Sequence, residues 1–168
     1  MKKIKVQVFN QSPFDLPSYA TPLSSGLDIR ADFSRIQNSG EIGRGCLFDL
    51  EQKTITIPPL CRVIIPTGLY VAIPEGWELQ VAPRSGMSYK VGLTCANARG
   101  CIDSDYRGEV GVIVVNLSNE NVVIPHSERI AQFIPSETPK IEWDVVDEIS
   151  HLGETERGSG GYGHTGKK

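Results

Sequence analysis

Apolar residues along this chain recur at every second position in short runs. Ile4, Val6 and Val8 alternate with Lys5 and Gln7, and Leu27, Ile29 and Ala31 alternate with Asp28, Arg30 and Asp32. Further runs of β-branched and apolar residues occupy 54–57, 62–65, 69–73, 77–81, 110–117, 121–124, 129–134 and 141–146. A period of two places one set of side chains on one face of a pleated strand, so each run predicts a strand with one buried face. Prolines at 58, 59, 66, 74, 83, 125 and 135 follow these runs. Proline cannot donate to a ladder, so they are expected at strand ends. No window of helical spacing stands out except a short turn near 85–90. Many short strands divided by turn signals predict an all-β sandwich or barrel-like fold.

Two segments depart from this pattern. Residues 34–53 are polar and contain glycine, which suits either an inserted loop or an extra hairpin. Residues 153–168 include the run R-G-S-G-G-Y-G-H-T-G-K-K, which is too poor in apolar residues to bury a core. Taken alone, that composition describes a disordered end. Yet its arginine, aromatic and hydroxyl groups, interleaved with glycine, suit the wrapping of a ligand. The expected organisation is therefore one β domain over 1–152, with a flexible arm over 153–168.

Composition narrows the function classes. The chain has 168 residues, enough for one sizeable core, and its 39% hydrophobic and 22% charged residues are in globular proportion. A formal net charge of −3 argues against a general nucleic-acid binder, which needs a broad excess of Lys and Arg. A small phosphorylated ligand needs only a few local arginines. The charged start lacks a following apolar run, and no stretch approaches the roughly 18 apolar residues of a membrane span. Cys46, Cys61, Cys95 and Cys101 have no C-x-x-C spacing, and the three histidines are scattered, so reduced thiols in a cytoplasmic protein without zinc are expected.

Four places carry candidate chemistry. In P-R-S-G-M-S (83–88), Arg84, Ser85 and Gly86 can turn successive backbone N–H groups, a hydroxyl and a forked guanidinium toward a phosphate. An ordinary strand-end turn with an exposed arginine explains those residues equally well. In N-A-R-G-C-I-D-S-D-Y-R-G (97–108), the Asn97 amide offers both a donor and an acceptor to a pyrimidine edge. Asp103 can take a proton from water, and Tyr106 can offer a flat face to a sugar or base. On chemistry alone, Asp103, Ser104 and Asp105 as a hydrogen-bonded turn is the simpler description. Arg129 and Gln132 lie three apart and would project to opposite faces of a regular strand, one structural and one facing a ligand. Asp28 within its alternating run could orient metal-bound water, although pairing with an arginine explains it more simply.

Together these runs resemble the trimeric dUTP diphosphatase (dUTPase) family. S-G-L-D-I-R-A is similar to the first of that family's five motifs, P-R-S-G-M-S to the second and G-C-I-D-S-D-Y-R-G-E-V to the third. R-I-A-Q-F-I is similar to the fourth and R-G-S-G-G-Y-G-H-T-G to the glycine-rich fifth. All five occur in order from about residue 25 to 166, a far more specific signal than any one of them.

The resemblance implies a dUTPase-like (β-clip) jelly-roll β-barrel, assembled as a homotrimer with shared active sites. It implies hydrolysis of dUTP to dUMP and pyrophosphate, which supplies dUMP for thymidylate synthesis and keeps uracil out of DNA. Asp103 would be the general base for water attacking the α-phosphorus, with Mg²⁺ on the triphosphate and Asp28 orienting its water. Asn97, Cys101 and Ile102 would hold the uracil, and Tyr106 would pack against the deoxyribose. Arg84, Ser85, Gly86 and Gln132 would hold the phosphates. Arg157, Tyr162, Gly163 and Thr165 would come from the closing arm, with Tyr162 stacked on the uracil. No nucleic acid or membrane partner is implied.

Three features depart from the family pattern. Tyr162 stands where phenylalanine is usual, His164 where serine is frequent, and residues 34–53 form a longer segment than usual. A dCTP deaminase of the same fold and a catalytically silent regulatory relative are the alternatives. The intact D-S-D-Y run and complete arm favour the diphosphatase.

Overall fold

The computed structural model describes residues 3–97 and 99–161. These divide into two compact units, one ending at Thr138 and one beginning at Pro139. No helix among the described residues is long and apolar enough to cross a membrane.

The first unit contains twelve strands among its described residues: β1 (Gln7–Asn10), β2 (Leu27–Arg30), β3 (Gly40–Ile42), β4 (Cys46–Asp49), β5 (Thr54–Ile57), β6 (Arg62–Ala72), β7 (Trp77–Pro83), β8 (Leu93–Cys95), β9 (Gly100–Ile102), β10 (Glu109–Asn116), β11 (Val122–Pro125) and β12 (Arg129–Glu137). They form three four-stranded sheets, ordered β1-β6-β10-β8, β11-β5-β4-β3 and β2-β12-β7-β9. Every pairing is antiparallel. The described residues are thus mostly β, in three antiparallel sheets.

Alternation does most of the positioning. In β10 every second side chain, Val110, Val112, Val114 and Asn116, is buried. The core joins these valines to Ile29 of β2, Ile55 and Ile57 of β5, Ile65 of β6 and Phe133 of β12. Asn116 is the polar exception, fully buried and fully satisfied. Its amide donates to the carbonyls of Ile57 and Glu120, and its Oδ1 accepts from the N–H and hydroxyl of Ser118. A buried amide left unpaired would cost about 1–3 kcal/mol, so this network fixes the turn after β10 to the end of β5.

One open reading is decided, for the hairpin, and two expectations change. Residues 34–53 contain the β3–β4 hairpin, and β4 extends the sheet of β5 and β11 with Cys46 and Phe48 in the core. The segment is thus part of the core packing, with Phe48 edge-on to Phe33 at 5.6 Å. The runs 62–65 and 69–73 fuse into one strand, β6, with Pro66 inside it. The ladder tolerates this proline because the register slips there: Glu109 pairs with Tyr70 and Gly111 with Pro66, so β6 carries extra residues. Such bulges release backbone donors and permit proline. Pro135 likewise lies within β12. Finally, residues 141–146 form no strand; Ile141, Trp143 and Val145 are 73%, 81% and 85% exposed. The period of two is present, but no neighbouring strand is paired to it. In that second unit Ile149–Leu152 forms a single 3₁₀ turn.

Gly68 sits at the bulge in β6 with φ +70°, and a Cβ there would lie 2.7 Å from the Ser12 nitrogen and 2.8 Å from Asp32 Oδ2. Both the left-handed conformation and the contact oppose any side chain. Gly68→Ala is expected to lower stability by about 2 kcal/mol or more, read as a drop in the denaturant midpoint at unchanged slope.

Candidate functional site

One sheet, β2-β12-β7-β9, carries the first four candidate runs. Asp28 of β2 stands opposite Gln132 of β12, which stands opposite Ala82 of β7. On the other side of β7, Gln80 faces Cys101 of β9. The ladder of β12 with β2 is irregular between Arg129 and Ala131, where β12 carries one extra residue. Ile130 and Ala131 are consequently both buried, and Arg129 and Gln132 fall on the same outward face. This corrects the expectation of opposite faces, which holds for a strand without a bulge.

The bulge assembles a basic cluster around Asp28. Arg84 Nε lies 3.0 Å from Asp28 Oδ1, and Arg129 Nη1 lies 2.9 Å from Asp28 Oδ2. Arg84 also donates to the Arg129 carbonyl at 3.0 Å, and the Gln132 amide donates to the Pro83 carbonyl at 3.1 Å. Asp28 therefore pairs with two arginines at once. Two guanidinium groups against one carboxylate leave a net positive charge at the end of β7. The residues after Arg84 are helical: Gly86 has φ −63° and ψ −39°, the Ser88 N–H returns to the Arg84 carbonyl, and Gly92 N–H closes a π-type turn on the Met87 carbonyl. The expected turn of converging N–H groups is thus the opening of a short helical turn over Met87–Val91, whose first N–H groups have no acceptor within it.

A second cleft, of about 220 Å³, opens at the hairpin between β9 and β10. Asn97, Cys101, Ile102, Asp103 and Tyr106 line it together with Val81. Strand β9 is the outer strand of its sheet, and its residues Gly100, Cys101 and Ile102 line this cleft. The Tyr106 N–H donates to the Asp103 carbonyl at 3.2 Å, closing the D-S-D-Y turn, and Arg107 folds onto the carbonyls of Ser104 and Tyr106. The turn leaves the Asp103 carboxylate exposed at the cleft. Desolvation first, then a hydrogen bond and charge from Glu78 and the charge of Asp103, raise the Cys101 thiol above its ordinary value. Burial also raises Cys46 and Cys95, and all four cysteines are free.

The chain brings Asn97, Cys101, Ile102, Asp103 and Tyr106 into one cleft and Asp28, Arg84 and Gln132 into one cluster. None of Asp28, Arg84, Ser85, Gly86 or Gln132 lines the hairpin cleft. Arg157 lies in the second unit, where its Nε donates to the Gly160 carbonyl at 2.7 Å. Tyr162, Gly163, His164 and Thr165 lie outside the described residues. The sequence reading did not single out a larger cleft of about 520 Å³ beside Asp28, lined by Asp15, Arg30, Thr67 and Arg129 among others. Asp28, Arg30 and Arg129 belong to the first and fourth runs, whereas residues 12–18, Thr67 and Leu69 carry no local signature. Among the described residues no cluster of three or more His, Cys, Asp or Glu could hold a metal ion by itself.

The described residues thus form a mostly β fold with a basic cluster at the end of β7 and a small cleft at the hairpin between β9 and β10. Comparison with known proteins makes this specific. The dUTPase family model matches residues 45–166. The deoxyuridine 5'-triphosphate nucleotidohydrolase of Fusobacterium nucleatum is 46% identical over 167 residues, covering 99% of this chain and 100% of that protein. Its counterpart in Finegoldia magna is 45% identical over 97% of this chain and 99% of that protein. The chain belongs to the dUTPase family. Its fold matches that of Staphylococcus bacteriophage 80alpha dUTPase with dUpNHpp, at TM-score 0.73 and 23% identity over 97% of this chain and 99% of that one. It also matches a phage phi11 dUTPase described as coordinating a structural Mg(II) ion, at TM-score 0.68 and 20% identity over 86% of this chain and 98% of that one.

The thiols give a direct check on this geometry. Cys101 is exposed, whereas Cys46 and Cys95 are buried. Titration with a disulfide reagent is expected to show Cys101 as the fastest thiol. Its rate should climb as pH rises toward and past the ordinary thiol value, because its raised pKa keeps it protonated below that range. Cys46 and Cys95 should react only on unfolding, and Cys101→Ser should remove the fast phase.

Proposed function

We propose that this chain, a dUTP diphosphatase, splits dUTP to dUMP and pyrophosphate through water activated by Asp103. The observation that carries this assignment is the exposed Asp103 carboxylate in a cleft shared with Asn97, Cys101, Ile102 and Tyr106. A carboxylate beside a nucleotide's α-phosphate takes a proton from water and directs the nucleophile at phosphorus. The free edge of β9 meets the uracil through main-chain groups of Cys101 and Ile102, with the Asn97 amide alongside. The Tyr106 ring lies against the deoxyribose and excludes a 2′-hydroxyl by leaving it no room.

Arg84, Ser85, Gly86 and Gln132 hold the phosphate chain, where positive charge and unpaired N–H groups neutralise the charge that spreads in the transition state. Magnesium fits this arrangement as a companion of the triphosphate. Both Asp28 oxygens already face guanidinium groups, so Asp28 would reach the ion through water. Bound there, Mg²⁺ supplies further charge neutralisation on the phosphates.

The phosphate cluster and the hairpin cleft share no residue within one chain. That separation supports a homotrimeric barrel assembly in which one subunit's cluster faces another's cleft. The exposed row Ile141, Trp143 and Val145 supports it too, as an apolar edge suited to burial against a second copy. Arg157, Tyr162, Gly163 and Thr165 close over the nucleotide as an arm and exclude water.

Asp103→Asn is expected to lower kcat for dUTP by about 10²–10⁴-fold with little change in KM, measured as pyrophosphate release with Mg²⁺. Full activity in that variant would reject Asp103 as the base, and ammonia release from dCTP would point instead to deamination. Deleting 157–168 is expected to leave the oligomer unchanged by sedimentation while nearly abolishing turnover.

A further inference from the structure

We propose that Arg35 and Glu109 are positioning residues that set the sugar selectivity of the site by fixing the ring of Tyr106. This rests on the reading of Tyr106 as the group against the deoxyribose.

The argument begins at the ring. Tyr106 Oη donates to the Glu109 carbonyl at 2.9 Å. A Cβ on Gly108 would lie 2.3 Å from that hydroxyl oxygen and 2.6 Å from Cζ. The ring therefore rests directly on the backbone of residues 108–109, and its position follows that backbone. Glu109 is the first residue of β10, at the slip where two steps along β10 answer four along β6. The slip frees the N–H groups of Thr67 and Gly68 from the ladder, and Glu109 Oε1 accepts both, at 3.2 and 2.7 Å. Buried backbone donors must find such a partner.

One cation holds this carboxylate in place. Arg35 Nη2 pairs with Glu109 Oε1, and Arg35 Nη1 pairs with Asp32 Oδ2 at 2.6 Å. Asp32 is fully buried and also accepts from the Ser34 N–H at 3.0 Å. The half-buried guanidinium thus bridges an immobile carboxylate to the one that anchors the backbone under Tyr106. Without it, the guanidinium bridge between Asp32 and Glu109 is lost, and with it the cation that holds Glu109 on the Thr67 and Gly68 amides. The backbone carrying the ring then moves, and space opens where a 2′-hydroxyl would sit. Arg35 lies outside all five family-like runs, and it does not line the hairpin cleft.

The test compares kcat/KM for dUTP and UTP in the full-length enzyme. Arg35→Met is expected to lower the dUTP-over-UTP ratio about tenfold or more, chiefly through faster UTP turnover. Arg35→Lys, which keeps a charge and a donor, should recover much of the ratio. A merely structural role would reduce the active fraction for both substrates equally and leave the ratio alone. Tyr106→Phe removes the hydroxyl's bond to Glu109, so adding Arg35→Met to it should change the ratio less than Arg35→Met does alone. Should Arg35→Met not fold, Glu109→Gln, which retains an acceptor for the amides, is measured in the same way. An unchanged ratio in the folded variants, with a collapsed ratio in Tyr106→Ala, overturns the positioning role and leaves the reading of Tyr106 intact. An unchanged ratio in Tyr106→Ala overturns both.

Discussion

Strand β12 pairs with β2 on one side and β7 on the other, and one extra residue in it sets the chemistry of this face. The irregularity between Arg129 and Ala131 buries Ile130 and Ala131 in succession and returns Gln132 to the face that Arg129 occupies. Asp28 then finds Arg129 on the neighbouring strand and Arg84 beyond the end of β7. A regular ladder would have turned one of these groups into the core. Position in the sheet, more than proximity in sequence, makes the cluster.

A second irregularity acts on the other cleft. At the slip in β6, Gly68 provides a conformation that other residues adopt only with strain, and Glu109 takes up the amides the slip releases. Both clefts are therefore built where ladder regularity fails, next to long stretches where it holds. The regular stretches bury the apolar faces and supply most of the stabilisation. The irregular stretches decide which face the neighbouring polar groups take.

This division explains what could be read from the sequence. The alternation of Val110, Val112 and Val114 announced β10 directly, and T-I-T-I matched β5 residue for residue. The ordered motifs drew attention to Asn97, Cys101, Ile102, Asp103 and Tyr106, which the fold brings to one cleft, and to Asp28, Arg84 and Gln132, which it brings to one cluster. Alternation has no access to register, so the faces of Arg129 and Gln132 were misread. It is equally blind to whether a strand has a partner, which is why 141–146 looked like a strand. Strands of three residues, such as β8 and β9, are too short to show a period. The Asp32–Arg35–Glu109 contact joins positions up to 77 residues apart with no spacing to betray it, and the buried Asn116 reads as a strand-end polar residue until its four hydrogen bonds are seen.

The shortness of β9 has a consequence for the protein's behaviour in a crowded cell. An open sheet edge invites strands from other chains, and long ones are a recognised route to aggregation. Here the open edge is three residues long and ends in the sharp D-S-D-Y turn with its two carboxylates. That length leaves few main-chain groups open and offers a foreign strand too little ladder to hold. The same truncation that leaves the edge open keeps it from becoming a template, so an unpaired edge and colloidal safety are met by one piece of geometry.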